Sequence, residues 1–265
     1  MPLHFEAMVE NRDNSALFEG VIHEFDTADE AKIASDGEYI HVGKSIIDKS
    51  TGTPIGKYVF TLKKRDDKKA IELLDLDIIW NNPNMSSVQF VKRLEKSSDS
   101  NEYYEAESLQ MGQHFILETV NRHLLDEIDL VGTTRDVSFS VFPFELTVFE
   151  NMDQLNQFFG FNKEIRAGDT DLIVGGLADT FMAPGGMLQD GDNDYSFVIG
   201  KIKEFRDVRI CIGDNTLEFV LAWAETGVGI VPVCLGRDVF DLSKLKENCV
   251  VGMNAFVKAC LAQFS

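Results

Sequence analysis

Runs of β-branched and aromatic residues separated by turn sequences constrain the fold of this chain more than any other feature. Three such runs occur near the N-terminus, at residues 39–47, 57–63 and 70–80. Gly, Pro, Asp and Ser residues occupy the connections between them, as in the segment Ser50-Thr-Gly-Thr-Pro54. The pattern predicts an antiparallel β meander.

The spacing of apolar residues changes after residue 84. Met111, Phe115 and Val120 recur at helical intervals, which predicts a long helix. The predicted elements of this region are helices at residues 85–96, 105–129 and 152–159 and a strand at residues 137–149. The N-terminal region is therefore expected to combine the meander with helices.

The C-terminal segment has a different predicted element order. Strands are expected at residues 197–212, 216–224 and 229–235, a short helix at 241–248 and a long strand at 249–261. This is the order of a five-stranded OB barrel if the final run bends to supply two strands. The predicted fold class is therefore α+β, an antiparallel meander with helices followed by a small all-β OB-like barrel.

Charge supports a division of the chain into two domains. The chain of 265 residues carries 44 Asp and Glu against 25 Lys and Arg, a net charge of -19. From Ser196 onward, eight acidic and eight basic residues balance, so the excess negative charge lies before this point. A Gly- and Asp-rich stretch at residues 185–194 favours turns. We expect an acidic α+β domain at residues 1–189 and an all-β domain at residues 190–265.

Two motifs are similar to ligand-binding loops without completing them. The segment Gly37-Glu-Tyr-Ile-His-Val-Gly43-Lys44-Ser45 has one residue too many for a P-loop and continues into a predicted strand. Asp190, Asp192 and Asp194 alternate as at the start of a calcium-binding EF-hand. The later loop positions that need Gly and Glu hold Tyr195 and Lys201. The three aspartates are kept as metal candidates, and no cofactor is expected.

The candidate catalytic residues are His114 and Glu118. Four residues apart on the predicted long helix, they could form a general base or supply two metal ligands. The same spacing fits ordinary surface pairing, with Glu118 facing Arg122. A hydrolase with a site between the domains, using carboxylates and His114, is one alternative function, although no catalytic motif is found and a non-enzymatic role is favoured.

Basic and aromatic residues also occur together in the C-terminal segment. The candidate ligand-binding residues are Phe197, Lys201, Lys203, Phe205, Arg206 and Trp223. Such residues on a barrel face could stack bases and neutralise phosphates, so single-stranded nucleic-acid binding is a second alternative. Glu204 and Asp207 interleave with them and favour an ion-paired surface. The net charge of -19 repels a polyanion and disfavours nucleic acid as a partner.

The favoured function is binding or scaffolding through protein–protein interaction. The Phe-rich segment 139–149 offers a surface for self-association, so the partners considered are an unidentified protein and a second copy of the chain. The acidic N-terminus and the lack of an apolar run of about 18 residues argue against secretion and membrane insertion. Four cysteines without C-x-x-C spacing are expected to be free thiols, which favours a cytoplasmic location.

Overall fold

Strands dominate the described part of the protein. The computed structural model describes residues 29–33, 39–65, 70–95, 102–120, 129–160, 164–167, 170–173, 178–185, 194–212 and 215–261. The strands are β1 (Glu30–Ile33), β2 (Tyr39–Asp48), β3 (Thr53–Arg65), β4 (Ala70–Trp80), β5 (Ser86–Arg93), β6 (Glu102–Ser108), β7 (His114–Thr119), β8 (Thr134–Phe149), β9 (Glu164–Ala167), β10 (Thr170–Ile173), β11 (Phe181–Pro184), β12 (Ser196–Ile212), β13 (Asn215–Thr226), β14 (Gly229–Gly236) and β15 (Val250–Leu261). Within these ranges the only α-helix is α1 (Met152–Phe158).

The α+β fold class predicted from the sequence is wrong. The strand β5 occupies most of the predicted helix at residues 85–96, and β7 lies inside the predicted long helix. Every residue from Phe115 to Val120 is buried, so both faces of β7 are covered, and the apolar Ile116 between Phe115 and Leu117 interrupts the alternation that would identify a strand. Apolar residues then fall at helical intervals by coincidence. Residues 241–248 likewise form turns and not the predicted helix.

The predicted meander is confirmed at its three strands. β2, β3 and β4 pair antiparallel in sequence order, and β1 joins the edge of β2 to complete a four-stranded sheet. β9 and β10 form a separate two-stranded sheet.

The remaining strands form a nine-stranded sheet that closes twice. β12, β13, β14, β8 and β15 pair in that order, and β15 pairs again with β12. A second closed ring contains β5, β6, β7, β15 and β8, which pair in that order. The ring is closed because β8 also pairs with β5. The two rings share the β8–β15 pair, and β11 pairs with the edge of β12.

The fifth strand of the C-terminal ring comes from an unexpected part of the chain. The sequence predicted that the final run would bend to supply two strands, but β15 is a single strand. β8 supplies the missing strand by pairing parallel to β14. The nine-stranded sheet therefore includes strands from both sides of residue 190.

The two rings are topologically equivalent. In each of the sets β5–β8 and β12–β15, three strands form a meander and the fourth returns to pair with the first. The fourth strand of each set then pairs parallel with the third strand of the other set. A β-bulge lies at matching positions in the first strands, at Val91 and at Lys203. Each ring is thus closed by a strand exchanged from the other set.

Three apolar clusters hold these layers together. The largest fills the two rings and includes Phe90, Phe115 and Phe139. A second lies between the four-stranded sheet and the C-terminal ring, where Trp80 packs against Phe142 and Phe219. A third lies under α1, which packs on β8 and β15. No helix in the described ranges is long and apolar enough to cross a membrane.

Candidate functional site

The structure separates the two candidate catalytic residues. His114 begins β7 and is 44% exposed, with its Nδ1 atom 2.9 Å from Glu105 Oε1 on β6. Glu118 lies near the other end of β7 and is buried. Four residues along a strand span about 13 Å, so the two side chains cannot act on one atom as they could on a helix. Arg122 lies outside the described residues.

The metal candidates lie only partly within the described ranges. Asp190 and Asp192 fall outside them, and Asp194 is half-buried just before β12. Among the residues that the structure describes, no group of three or more His, Cys, Asp or Glu side chains is placed to hold a metal ion.

The candidate ligand-binding residues of β12 and β13 divide between a core and a surface. Phe197 is buried in the cluster under α1, whereas Phe205 is 39% exposed. Trp223 is half-buried, with the Arg206 guanidinium 5.4 Å from its ring centroid.

The basic groups on this surface have acidic partners. Lys203 Nζ lies 2.6 Å from Glu225 Oε2, and Lys201 is the cross-strand neighbour of the same glutamate. Further along the same two strands, Arg209 pairs with Glu218 at 2.5 Å. Acidic side chains on β13 therefore offset part of the positive charge that a phosphate backbone would require.

A cavity of about 420 Å³ lies on the outer face of β8 and β15, beside the end of α1. It is lined by Glu145, Leu146, Thr147, Phe158, Phe159, Gly185, Phe197, Gly252, Met253 and Asn254. Its volume falls within the range of about 300–1,000 Å³ typical of ligand pockets.

A bulge in β8 shapes one wall of this cavity. The register of β8 and β15 shifts at Phe144, which follows a proline and is the extra residue of the pair. The Phe144 ring packs edge-on against the Tyr195 ring, with the two centroids 5.0 Å apart. The centroid of the Phe256 ring lies 5.2 Å from that of Phe144, and these two rings are tilted. Beyond the bulge, Asn254 Nδ2 donates a hydrogen bond to Glu145 Oε2 at 2.6 Å.

The helix α1 supplies the opposite wall. The Asn151 side chain caps its N-terminus by accepting from the backbone N–H of Gln154. At its other end, Phe158 lies 5.4 Å from Phe149 and 5.1 Å from Phe159 between ring centroids. Phe159 in turn lies 5.4 Å from Phe197. The four rings form a continuous row, in which Phe158 is 65% exposed to solvent.

Two glycines keep the cavity open. A Cβ atom on Gly252 would lie 3.4 Å from the Phe149 ring and would fill part of the floor. A Cβ atom on Gly185 would overlap the ring of Tyr195 at 2.1 Å. The backbone at residue 185 can approach the Tyr195 ring this closely only because Gly185 lacks a side chain, whereas a Cβ atom on Gly252 would make ordinary van der Waals contact.

The electrostatic environment of the cavity is negative. Burial, followed by the charges of Glu145 and Asp194, raises the pKa of Tyr195 above its ordinary value. Glu145 is the only ionisable residue among the lining residues given above. Aromatic faces beside a carboxylate favour apolar groups and cations and disfavour anions.

Among the candidate ligand-binding residues only Phe197 lines the cavity, and Glu145, Leu146 and Thr147 belong to the Phe-rich segment 139–149 that was expected to mediate self-association. The Phe158-Phe159 pair at the end of a short helix was visible in the sequence, but its neighbours come from β8, β12 and β15. Those strands meet because β15 pairs with both β12 and β8.

A second surface exposes apolar side chains around β5. Leu109 and Gly132 lie in turns whose backbone N–H groups donate to carbonyls of β5. Five of the eight large apolar side chains exposed among the described residues belong to β5 or to segments adjoining it: Met85, Val91, Leu109, Met111 and Val131. Exposed apolar residues concentrated in one region are typical of interaction surfaces.

The Phe-rich segment predicted to mediate self-association is largely inaccessible. Phe139, Phe142 and Phe149 are buried within the chain.

No protein-family model matches the chain, and no curated protein or solved structure gives a significant match. A functional assignment therefore depends on the geometry of the described residues.

Proposed function

We propose that this chain is a cytoplasmic protein-binding protein whose cavity accepts an aromatic side chain from a basic segment of a partner protein. The observation that carries the proposal is a cavity of about 420 Å³ in which Glu145 lies beside Phe158, Phe159 and Phe197, three members of the row of four Phe rings. The cytoplasmic location is supported by four cysteines that are all free thiols.

Aromatic contacts account for the binding energy. Phe158 is 65% exposed and already packs against two rings, so a bound aromatic side chain would extend the row. Such side chains dominate the energetics of protein interfaces when they enter a desolvated pocket. The apolar surface around β5 lends separate support to a binding role.

Charge accounts for the preference for a basic partner. Glu145 lies at the cavity, and the whole chain carries a net charge of -19. A field of this sign attracts basic segments and repels acidic ones, which raises the association rate with the former.

The two alternative functions gain less from the structure. A hydrolase would require His114 and its carboxylate partner to lie in a cleft, but His114 is 44% exposed, and neither it nor its partner Glu105 lines the cavity. Single-stranded nucleic acid would meet the ion-paired face of β12 and β13.

The proposal can be tested with a fluorescent peptide that has one phenylalanine flanked by lysines, titrated by fluorescence anisotropy. We expect Phe158→Ala to weaken binding about tenfold, the effect of losing an aromatic contact of about 1.4 kcal/mol. Val239→Ala is the matched control, because Val239 is 45% exposed but lies in the turn after β14, away from the cavity and from the apolar surface around β5.

A second arm tests the charge preference. The same peptide with glutamates in place of the lysines should bind more weakly, and Glu145→Gln should reduce the difference between the two peptides. Equal binding of both peptides by the natural protein, or an identical loss in the Phe158 and Val239 variants, would contradict the proposal.

A further inference from the structure

Three ionisable side chains meet in a buried position outside the cavity. Lys258 on β15 contacts Asp77 on β4, and its Nζ atom lies 3.5 Å from Glu118 Oε2 on β7. Their side chains are 5%, 4% and 2% exposed, respectively. The cluster therefore brings a primary amine together with two carboxyl groups in the absence of bulk water.

The strand pairing holds this cluster in place. Lys258 and Glu118 are direct neighbours in the parallel pairing of β15 with β7. β4 crosses the outside of the rings at this point, where the Trp80 backbone N–H donates to Ser140 Oγ at 3.0 Å. Ser140 is in turn the cross-strand neighbour of Lys258. Asp77 is thereby fixed against the lysine by the packing of a whole sheet.

Burial changes the chemistry open to these groups. An ammonium and two carboxylates are costly to keep charged in an apolar interior. Transfer of one proton from Lys258 to Asp77 produces an uncharged amine and an uncharged carboxylic acid in contact. An amine and a carboxylic acid held together in this way have a high effective concentration for condensation.

We propose that Lys258 and Asp77 condense to an intramolecular amide bond, with Glu118 carrying the proton. The Nζ lone pair attacks Cγ of Asp77 and forms the new N–C bond. Glu118 accepts a proton from the nitrogen and delivers it to the departing hydroxyl. The Cγ–O bond then breaks, one water leaves, and Glu118 is again a carboxylate.

The bond would join two parts of the fold that otherwise meet through packing and hydrogen bonds. Asp77 belongs to the four-stranded sheet, whereas Lys258 belongs to the strand shared by both rings. The amide would therefore fix the sheet to the rings covalently, independently of the binding function proposed above.

The test is the intact mass of the purified full-length chain under denaturing conditions. We expect a mass lower than the sequence mass by one water. Tandem mass spectrometry of a tryptic digest should then identify a branched peptide that joins Asp77 to Lys258. A natural chain with its full sequence mass would overturn the proposal.

Variants distinguish this bond from other dehydrations. Lys258→Arg keeps a positive charge but cannot form the amide, so its full sequence mass is expected. Asp77→Asn should give the same product as the natural chain, because condensation then releases ammonia. Glu118→Gln should slow or abolish the mass loss, whereas Glu107→Gln, a half-buried glutamate on β6, should retain it. Loss of water that persists in Lys258→Arg would place the dehydration elsewhere and overturn the assignment.

Discussion

Glu145 affects two neighbours at the cavity. It accepts a hydrogen bond from Asn254, and its charge is the second cause of the raised pKa of Tyr195 after burial. Tyr195 packs on Phe144 and on the backbone of Gly185, so its ring forms part of the cavity's surroundings. Changes in the charge of Glu145 are therefore reported by the titration of Tyr195.

We predict that Glu145→Gln lowers the pKa of Tyr195, because one of the two nearby negative charges is removed. The measurement is the ultraviolet absorbance of tyrosinate against pH, with a Tyr195→Phe variant subtracted to isolate this residue. Glu204→Gln, an exposed change on β12, is the control and should leave the titration unchanged. Because the pKa of Tyr195 is higher in the folded protein than in the unfolded chain, where it is about 10, this residue stabilises the folded state below about pH 10. That stabilisation is lost as the pH rises through the pKa of the folded protein.

At the scale of elements, the turn between β2 and β3 attaches the four-stranded sheet to the C-terminal ring. Asp48 accepts hydrogen bonds from the Ser50 backbone N–H at 3.0 Å and from Thr51 Oγ1 at 3.0 Å. The backbone N–H of Lys49 donates to the carbonyl of Arg209 on β12 at 2.7 Å. Burial would raise the pKa of Asp48, but hydrogen bonds from Ser50, Thr51 and Arg209 outweigh it and lower the pKa.

We predict that Asp48→Asn destabilises the protein at neutral pH by about 1–3 kcal/mol, the cost of weakening hydrogen bonds to a buried carboxylate. Because the pKa of Asp48 is lower in the folded protein than in the unfolded chain, where it is about 3.9, this residue stabilises the folded state above that pH. That stabilisation is lost as the pH falls through the pKa of the folded protein. Urea unfolding should therefore show the two proteins converging toward pH 3. Asp238→Asn, at an exposed position, is the matched control. A difference in stability that is independent of pH would contradict this account.

The elements show which local features a sequence pattern can reveal. β2, β3, β4, β12, β13 and β14 were predicted near their observed bounds, because alternating or β-branched runs end at clear turn residues. β5 and β7 were missed as strands. Both β7 faces are buried, one in the ring core and one against Asp77 and Lys258, and Ile116 stands between His114 and Glu118 on the second face, so the sequence showed no regular alternation.

At the scale of the whole molecule, the exchanged strands make each ring depend on both sets. β8 closes the C-terminal ring and β15 closes the other, so neither set can complete its hydrogen bonding alone. Exchange of this kind couples the folding of both rings, because separating them would expose the edges of four strands.

We predict that a chain cut between the two sets remains assembled. A protease site inserted after Gly160 would separate β8 from β12, and the Lys258→Arg background would prevent an amide from joining the fragments. After cleavage, the two fragments should co-elute on size exclusion in native buffer and separate in guanidinium. Fragments that separate in native buffer would show that the exchanged strands do not hold the rings together.

The sequence by itself determined where most strands of the meander and of the C-terminal segment begin and end. It also determined the acidic character of the first 195 residues. Both are local properties, since backbone conformation follows the periodicity of neighbouring side chains and charge follows composition.

Only the tertiary structure decided which strands pair. The meeting of Asp77, Glu118 and Lys258 depends on β7 lying beside β15 and on β4 crossing them. The cavity likewise depends on α1 packing over β8 and β15. Strands that are distant in the sequence pair through backbone hydrogen bonds, which nearly every residue can make, and through burial shared across the whole fold. The spacing of neighbouring residues therefore does not specify which strands pair.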